Sequence, residues 1–354
     1  MPVYSHIKQI QDPVEKERTI NGLLNLKAGL KSIPKKNIDE NLIIATWNIR
    51  EFDSPAYGDR SQEAMAYIAE IINRFDLVAV QEVRDDLKAL NSLMKILGKS
   101  WDCIFTDTTE GSHGNGERLA FLYDRRKLSF SGLAGEIVIP PIEEKEGKSN
   151  TIYKPAEQLY RTPFVVGFHA GWLKFMISTA HIVYGENKED SPERIKEISL
   201  LSDFLAARIE NKTALYKNLI LLGDFNIFNP KNKTFKEISK NFTVPEELQA
   251  LPSNAMKNKH YDQIAFKFTE TVKIRNAGVF DFYNHVYKVE DELKYVENMG
   301  TAYLKTSAGK TRTAASKTDY YKTYWRTYQL SDHLPMWIEF ETDFSEDYLK
   351  TILK

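Results

Sequence analysis

One cysteine occurs among 354 residues, Cys103. A single thiol excludes an intrachain disulfide framework and any CxxC zinc site. Within the apolar run Trp101 to Phe105 it reads as a small core residue. No apolar stretch approaches the roughly 20 residues needed to span a bilayer. Met1 to Pro13 is polar and lacks the apolar segment of a secretory leader. A soluble, cytoplasmic protein with no membrane partner is therefore expected, with a monomer as the default. Glycine (17) and proline (13) are modest, which argues against fibrous or disordered classes. No internal repeat of about 20–50 residues marks a solenoid or propeller. A basic excess is also missing: 48 Lys and Arg face 49 Asp and Glu, a net charge of -1. A polyanionic ligand would have to be met by local positive charge and by metal ions. Gly309-Lys310-Thr311 mimics the end of a phosphate-binding P-loop, but its leading glycine would fall at Leu304, so that reading fails. No Gly-x-Ser-x-Gly elbow occurs.

What the chain does have is 42% hydrophobic residues arranged in short runs, enough for a sizeable core. Leu42–Trp47, Leu77–Val80, Trp101–Phe105, Leu119–Tyr123, Phe164–Phe168, Trp172–Ala180, Leu219–Leu222, Ile264–Phe268 and Leu334–Phe340 read as strands. Helical patterns fall at 60–74, 86–97 and 191–210, the last opened by Ser191 at the N-cap and Pro192 in the first turn. Residues 14–30 set Val14, Ile20, Leu23, Leu24, Leu26 and Leu30 among charges, an amphipathic helix closed by Pro34 that reads as a packing extension. Residues 140–160 read as an exposed loop or hairpin. Many strands with few helices imply two packed sheets with helices outside.

Polar residues capable of chemistry recur at the C-terminal ends of these strands: Asn48, Gln81-Glu82, His181, and Gly223-Asp224-Phe225-Asn226. Ser331-Asp332-His333 instead precedes a strand. Singly, each has a plain structural reading as a turn or surface residue. Jointly they offer carboxylates for a hard divalent cation, two histidines and no thiols, which suits magnesium and a phosphate better than zinc.

Eight segments carry a family resemblance, in order: Ala45-Thr46-Trp47-Asn48-Ile49, Val80-Gln81-Glu82-Val83-Arg84-Asp85, Glu117-Arg118-Leu119-Ala120-Phe121-Leu122, Tyr160-Arg161-Thr162-Pro163, Ser178-Thr179-Ala180-His181, Gly223-Asp224-Phe225-Asn226, Tyr261-Asp262-Gln263-Ile264 and Ser331-Asp332-His333-Leu334-Pro335. Over about residues 42–340 the chain resembles the endonuclease/exonuclease/phosphatase superfamily, and within it the deoxyribonuclease I-like branch. The resemblance implies an α/β fold, a four-layer α/β/β/α sandwich of two mixed sheets. It implies a metal site of Glu82, Asn48 and Asp332, with magnesium expected and manganese plausible. Asp224 and Asn226 look like the pair that activates and orients the attacking water. His181 with Glu117, and His333 with Asp262, look like the two catalytic histidines and their carboxylate partners. Arg161 resembles a phosphate-binding arginine and Arg84 one that reaches the DNA minor groove. One departure is Asn115, which stands where the branch has a tyrosine that stacks on a sugar.

The implied organisation is a helical extension over 1–40, the catalytic domain over 41–342 and a tail over 343–354. Inside the domain, residues 284–330 read as a basic, aromatic insertion. Its stretch Tyr303–Tyr328 holds Lys305, Lys310, Arg312, Lys317, Lys322 and Arg326 against Asp319 alone, among six aromatics. Lysines and arginines neutralise phosphates and aromatics stack on bases, so Lys310 and Arg312 are expected to contact a nucleic acid; the competing reading is a loop whose aromatics pack on the sheet. The function implied is a metal-dependent phosphodiester hydrolase, a DNA endonuclease. The alternatives are a hydrolase of small-molecule or lipid phosphoesters, since fold does not fix substrate, and a binding module without activity. Against the first alternative, no Arg-containing motif follows Asp262 as in inositol phosphatases.

Overall fold

Side chains alternate across a strand, so a strand apolar on both faces must be covered on both. Strand β1 (Asn41–Phe52) does this: Leu42 and Ile44 point one way, and Ile43, Ala45, Trp47 and Ile49 point the other. In β2 (Leu77–Arg84), Leu77 and Ala79 join the first set, Val78 and Val80 the second. The same division holds in β9 (Leu173–His181) and β10 (Leu219–Asp224), where Phe175, Ile177, Ile220 and Leu222 face Leu42 and Ile44 across a shared core. Two sheets packed face to face, each covered outside by helices, follow directly. The computed structural model describes residues 2–52, 54, 57–110, 116–146, 150–268 and 272–353.

The remaining strands are β3 (Trp101–Phe105), β4 (Glu117–Asp124), β5 (Ser129–Glu136), β6 (Ile142–Glu146), β7 (Asn150–Lys154), β8 (Phe164–Ala170), β11 (Asp262–Lys267), β12 (Ile274–Val279) and β13 (Met336–Glu341). The first sheet runs β12-β13-β1-β2-β4-β3 and the second β11-β10-β9-β8-β5; β6 and β7 pair separately as a hairpin. Both large sheets are mixed. Each has one parallel pair at its centre, β1 with β2 and β9 with β10, and antiparallel pairs around it. A parallel pair needs a crossover connection. Helix α2 (Gln62–Asn73) makes the first and α4 (Pro192–Glu210) the second. Helix α1 (Pro13–Gly29) and α3 (Lys88–Leu97) pack beside α2, while α5 (Lys233–Ser239) lies against α4. The four layers match the implied sandwich.

Several local expectations need correction. Ser191 does precede α4, yet its hydroxyl caps nothing and is a buried oxygen without a partner. Of the stripe assigned to α1, Leu23, Leu26 and Leu30 are buried, whereas Val14, Ile20 and Leu24 are exposed. Thr19 is the fourth inward residue. Strands β5 and β12 carry alternating or polar residues and no apolar run, so they were not legible. The tail contains a helix, Ser345–Ile352.

The insertion over 284–330 folds into short helical turns packed on α1 and α2. The joint is Glu63 of α2, whose side chain is fully buried. Its Oε1 accepts hydrogen bonds from the Tyr67 hydroxyl at 2.8 Å and the Tyr295 hydroxyl at 2.8 Å. Its Oε2 accepts from Arg18 Nε at 2.9 Å. Arg18 also lies 4.3 Å over the Tyr295 ring and donates to the Lys294 carbonyl. One carboxylate thus ties extension, catalytic domain and insertion together. Removing one member of a buried ion pair strands the other charge, a cost of about 3 kcal/mol. Arg18→Ala should therefore lower the unfolding free energy by that amount, read as a lower denaturant midpoint at an unchanged denaturant slope; a change within about 0.5 kcal/mol, the range of ordinary surface substitutions, would remove Glu63 from this role.

Candidate active site

Two parallel pairs point their C-terminal ends at the same rim, the place where open α/β sheets hold ligands. From the first sheet come Asn48 and Glu82, from the second His181 and Asp224. Register puts Asp224 beside His181 on one side and Asp262 on the other. Arg84 and Glu117 are neighbours across β2 and β4.

The backbone is bent to make this happen. Pairing of β1 with β2 slips between Asn48 and Phe52, and pairing of β2 with β4 slips between Val80 and Val83. Such bulges re-aim side chains. Glu51 (φ 49°), Glu82 (φ 62°) and Asn226 (φ 52°) occupy the left-handed region that side chains other than glycine avoid. Strain of this kind persists only where surroundings over-determine it, and three cases cluster here. Gly223 has φ 139°, and a Cβ there would sit 2.0 Å from the Ala180 carbonyl, so the step into Asp224 requires glycine.

Asp224 is the centre. Its Oδ2 accepts from Asn48 Nδ2 at 3.0 Å and lies 3.5 Å from His181 Nε2 and 3.6 Å from His333 Nε2. Its Oδ1 accepts the Asn226 backbone N–H at 2.9 Å. The Asn226 side-chain amide is committed to the Ile182 carbonyl at 2.8 Å, so Asn226 holds Asp224 through its main chain. Each imidazole is fixed from behind: His181 Nδ1 by Glu117 Oε1 at 2.6 Å, His333 Nδ1 by Asp262 Oδ2 at 2.8 Å. Bonded there, the Nδ1 atoms donate, and both Nε2 nitrogens turn toward Asp224. Arg161 adds a cation 3.1 Å from Glu117 and donates to the His181 and Ile182 carbonyls. All these groups are buried.

Burial alone would neutralise these groups. It raises Asp224, but the His333 and His181 imidazoles, the Asn226 N–H and Asn48 outweigh it and hold the carboxyl below its ordinary range. Burial likewise raises Glu117, and His181, Arg161 and Arg84 bring it below. Burial and Arg161 push His181 down, yet Glu117 and Asp224 more than offset them and raise it. Burial opposes the charged form of His333, and Asp262 and Asp224 lift it well above the usual histidine value. Burial also drives Asp262 upward against the pull of the His333 imidazole, so the pair shares a proton. The shifts favour the charged form of the carboxylate and, on either side of it, the charged forms of the two imidazoles.

The donor set for a cation is all oxygen. Asn48 spends its amide nitrogen on Glu82 Oε1 at 2.8 Å and on Asp224, leaving its buried Oδ1 without a hydrogen-bond partner. Glu82 uses Oε2 to accept the Glu51 N–H at 2.7 Å. The Asp332 side chain is 43% exposed at the rim, 3.7 Å from Arg50 Nε. No cluster of three or more His, Cys, Asp or Glu forms a cage among the described residues. An orphaned amide oxygen beside one or two carboxylates fits a hydrated hard cation such as magnesium, which keeps several waters, and does not fit zinc.

Not every expected residue meets here. Arg84 pairs with Glu51 at the flank of the site. Lys310 is exposed on a turn closed by the Lys305–Thr311 bridge. Arg312 is engaged inside the insertion: it donates to the Ala302 carbonyl and Ser316 Oγ and lies 4.6 Å over Tyr320. Arg326 is buried against Tyr283 and the Tyr287 carbonyl. Asn115 lies outside the described residues. Two supporting residues, Arg50 and Glu197, had escaped notice, and a third, Gln81, had been marked only as a strand-end polar group. Arg50 links Asp332 to the insertion. Gln81 bridges the sheets through Thr46 and Thr179. Glu197 accepts the Tyr160 and Val183 N–H groups and so steadies the segments bearing Arg161 and His181. On an amphipathic helix Glu197 carries no signal that sets it apart from a solvated charge.

A family model, the Endonuclease/Exonuclease/phosphatase family, matches residues 45–236, and the chain belongs to this family. Among known proteins it is similar to deoxyribonuclease gamma of Mus musculus, 25% identical over 273 residues, covering 71% of this chain and 79% of that one. Among solved structures it is similar to a family protein from Bacteroides thetaiotaomicron (15% identity, 86% and 98% of the two chains, TM-score 0.52). It is also similar to the human Nocturnin catalytic domain with bound sulfate (15%, 85% and 94%, TM-score 0.51). A third neighbour is D. rerio TDP2 complexed with single strand DNA product (15%, 85% and 99%, TM-score 0.51). These structural likenesses are of fold. Family members hydrolyse phosphoesters and are generally dependent on a divalent metal.

The charge arrangement has a measurable signature. A histidine whose folded pKa is raised contributes stability fully below its unfolded value of about 6.5, and loses it as pH rises through the raised folded value. Glu117→Gln removes the nearest cause of that rise. The His181 imidazole titration followed by NMR should then move to lower pH, and the part of the variant's instability that comes from this pair should be largest in mildly acidic solution, below about pH 6.5, and decline as pH rises through the folded value. An unmoved titration midpoint would contradict the pairing.

Proposed function

We propose that this member of the family is a magnesium-dependent phosphodiesterase acting on nucleic acid, a DNA endonuclease. The observation that carries the reading is one carboxylate oxygen, Asp224 Oδ2, set between two imidazoles that are each backed by a carboxylate of their own. A phosphodiester is anionic and attack adds charge, so positive groups at fixed positions stabilise the transition state. Imidazolium groups at His181 and His333, with Arg161 beside them, supply three. Asp224, ionised, takes a proton from water as its oxygen attacks phosphorus. The bond from phosphorus to the leaving oxygen breaks, and an imidazolium Nε2–H protonates that oxygen. Asn48, Glu82 and Asp332 would hold the magnesium, with manganese able to replace it; there it would neutralise phosphate charge.

The DNA assignment draws on deoxyribonuclease gamma as a relative, on Arg84 at the flank of the site and on the exposed lysines of the insertion. A single cysteine accords with a reducing compartment, and we place the activity in the cytoplasm.

Supercoiled plasmid, linear duplex, single-stranded DNA and RNA incubated with magnesium, or with chelator, test the proposal. Nicking should require metal and fall on the order of a thousandfold in Asp224→Ala, the scale of a lost general base. Silence on every nucleic acid, with phosphate released from small phosphoesters, would replace this reading with the small-molecule one.

A further inference from the structure

The basic insertion does not present its aromatics evenly. Tyr321 and Trp325 turn inward, stacked 5.9 Å apart against Tyr295, and Tyr321 is fully buried. Tyr320, Tyr324 and Tyr328 lie on another face of the same helical stretch, successive rings 5.3 and 4.9 Å apart. The first of these turns, Tyr320–Trp325, is a π-helix, a form found frequently at functional positions. Tyr57, far away in sequence, stacks on Tyr328 with centroids 3.7 Å apart and planes 18° from parallel. Tyr57 remains 41% exposed and Tyr324 42%. With one face of Tyr57 covered by Tyr328, its exposure belongs to the opposite face and the edge. Of the second face, Tyr328 is buried and Tyr320 is partly buried against the core, so Tyr324 and Tyr57 are the rings open to solvent.

This row begins at the catalytic rim. Arg50 lies two residues after Asn48 on β1, is 3.7 Å from Asp332, and sits 4.0 Å over the Tyr328 ring. Its guanidinium also donates to Thr327 Oγ1 and the Thr323 carbonyl. The row therefore has a fixed position relative to His333, the residue after Asp332. Along it the electrostatics favour an anion: Lys322 is partly exposed, Lys305 and Lys310 are exposed, and Asp319 is the one acid between residues 303 and 328. At the far end, Tyr320, Tyr324, Lys305 and Arg312 line an open cavity of about 730 Å³. Aromatic rings in a row with lysines beside them are the combination that holds an unpaired strand, the rings stacking on bases and the lysines meeting phosphates. In duplex DNA the base faces are already stacked on one another and cannot use the rings.

We propose that Tyr57 and Tyr324, backed by Tyr328 and Arg50, form a stacking subsite that holds unpaired bases flanking the scissile phosphate, so the enzyme selects single-stranded or frayed polynucleotide. The inference rests on the nuclease reading for its substrate class but is tested by binding alone. The full chain carrying Asp224→Ala binds without turnover. Fluorescence anisotropy is measured with three labelled probes of equal length: an oligothymidylate strand, the same backbone made abasic, and a duplex. The thymidylate strand should bind about tenfold tighter than the abasic one, the lower range of stacking on an aromatic side chain. Adding Tyr57→Ala or Tyr324→Ala should bring thymidylate affinity down to the abasic level and leave abasic and duplex binding unchanged. Tyr57→Phe, which keeps the ring, should restore it and guards against misfolding. Equal binding of thymidylate and abasic strands, or alanine variants that bind like their parent, would overturn the subsite. Metal-dependent cleavage of single-stranded DNA by the chain without substitutions is read separately: its absence with stacking intact sinks the nuclease reading, and its presence with no stacking sinks only the subsite.

Discussion

The structure turns on a carboxylate that burial should have neutralised. Asp224 sits in the interior of the rim, where desolvation favours the protonated acid. It stays ionised because two imidazoles, an amide and a backbone N–H converge on it. Glu117 and Asp262, standing behind those imidazoles, favour their protonated forms. Neither half is stable alone: without the histidines the acid would take a proton, and without the acids the histidines would lose theirs. Two sheets are needed to build this, since Asn48 comes from one and His181, Asp224 and Asp262 from the other.

That requirement explains features that look unrelated. The parallel pairs β1–β2 and β9–β10 place strand ends on a common rim. The bulges after Asn48 and Val80, the left-handed Glu51, Glu82 and Asn226, and the glycine at 223 all turn chains at the rim without moving the apolar core below it. Gln81, bonded to Thr46 and Thr179, closes that core with a satisfied polar bridge. The insertion and the extension lie outside this machinery and are joined to it by Glu63 and Arg50.

Much of this was legible in the sequence because it follows from period and position. Apolar runs ending in Asn48, Glu82, His181 and Asp224 identify strand ends, and the matching segments identify the family. What was not legible depended on partners far along the chain. Arg312 and Arg326 look like phosphate ligands in a basic stretch, but only the fold reveals the carbonyls and rings that occupy them. Tyr57 lies in a polar segment with no periodicity, and its partner Tyr328 is remote. Strands β5 and β12, both at sheet edges, carry alternating or polar residues with no apolar run to mark them.

The central claim is that water, deprotonated by Asp224, displaces the leaving oxygen in one step, with no enzyme group bonded to phosphorus. The stereochemical course tests it most directly. Hydrolysis of a phosphorothioate diester of known configuration at phosphorus, in water enriched in oxygen-18, should give a product with one labelled oxygen and inverted configuration. Retention would mean two successive displacements through a covalent enzyme intermediate, and would contradict the account.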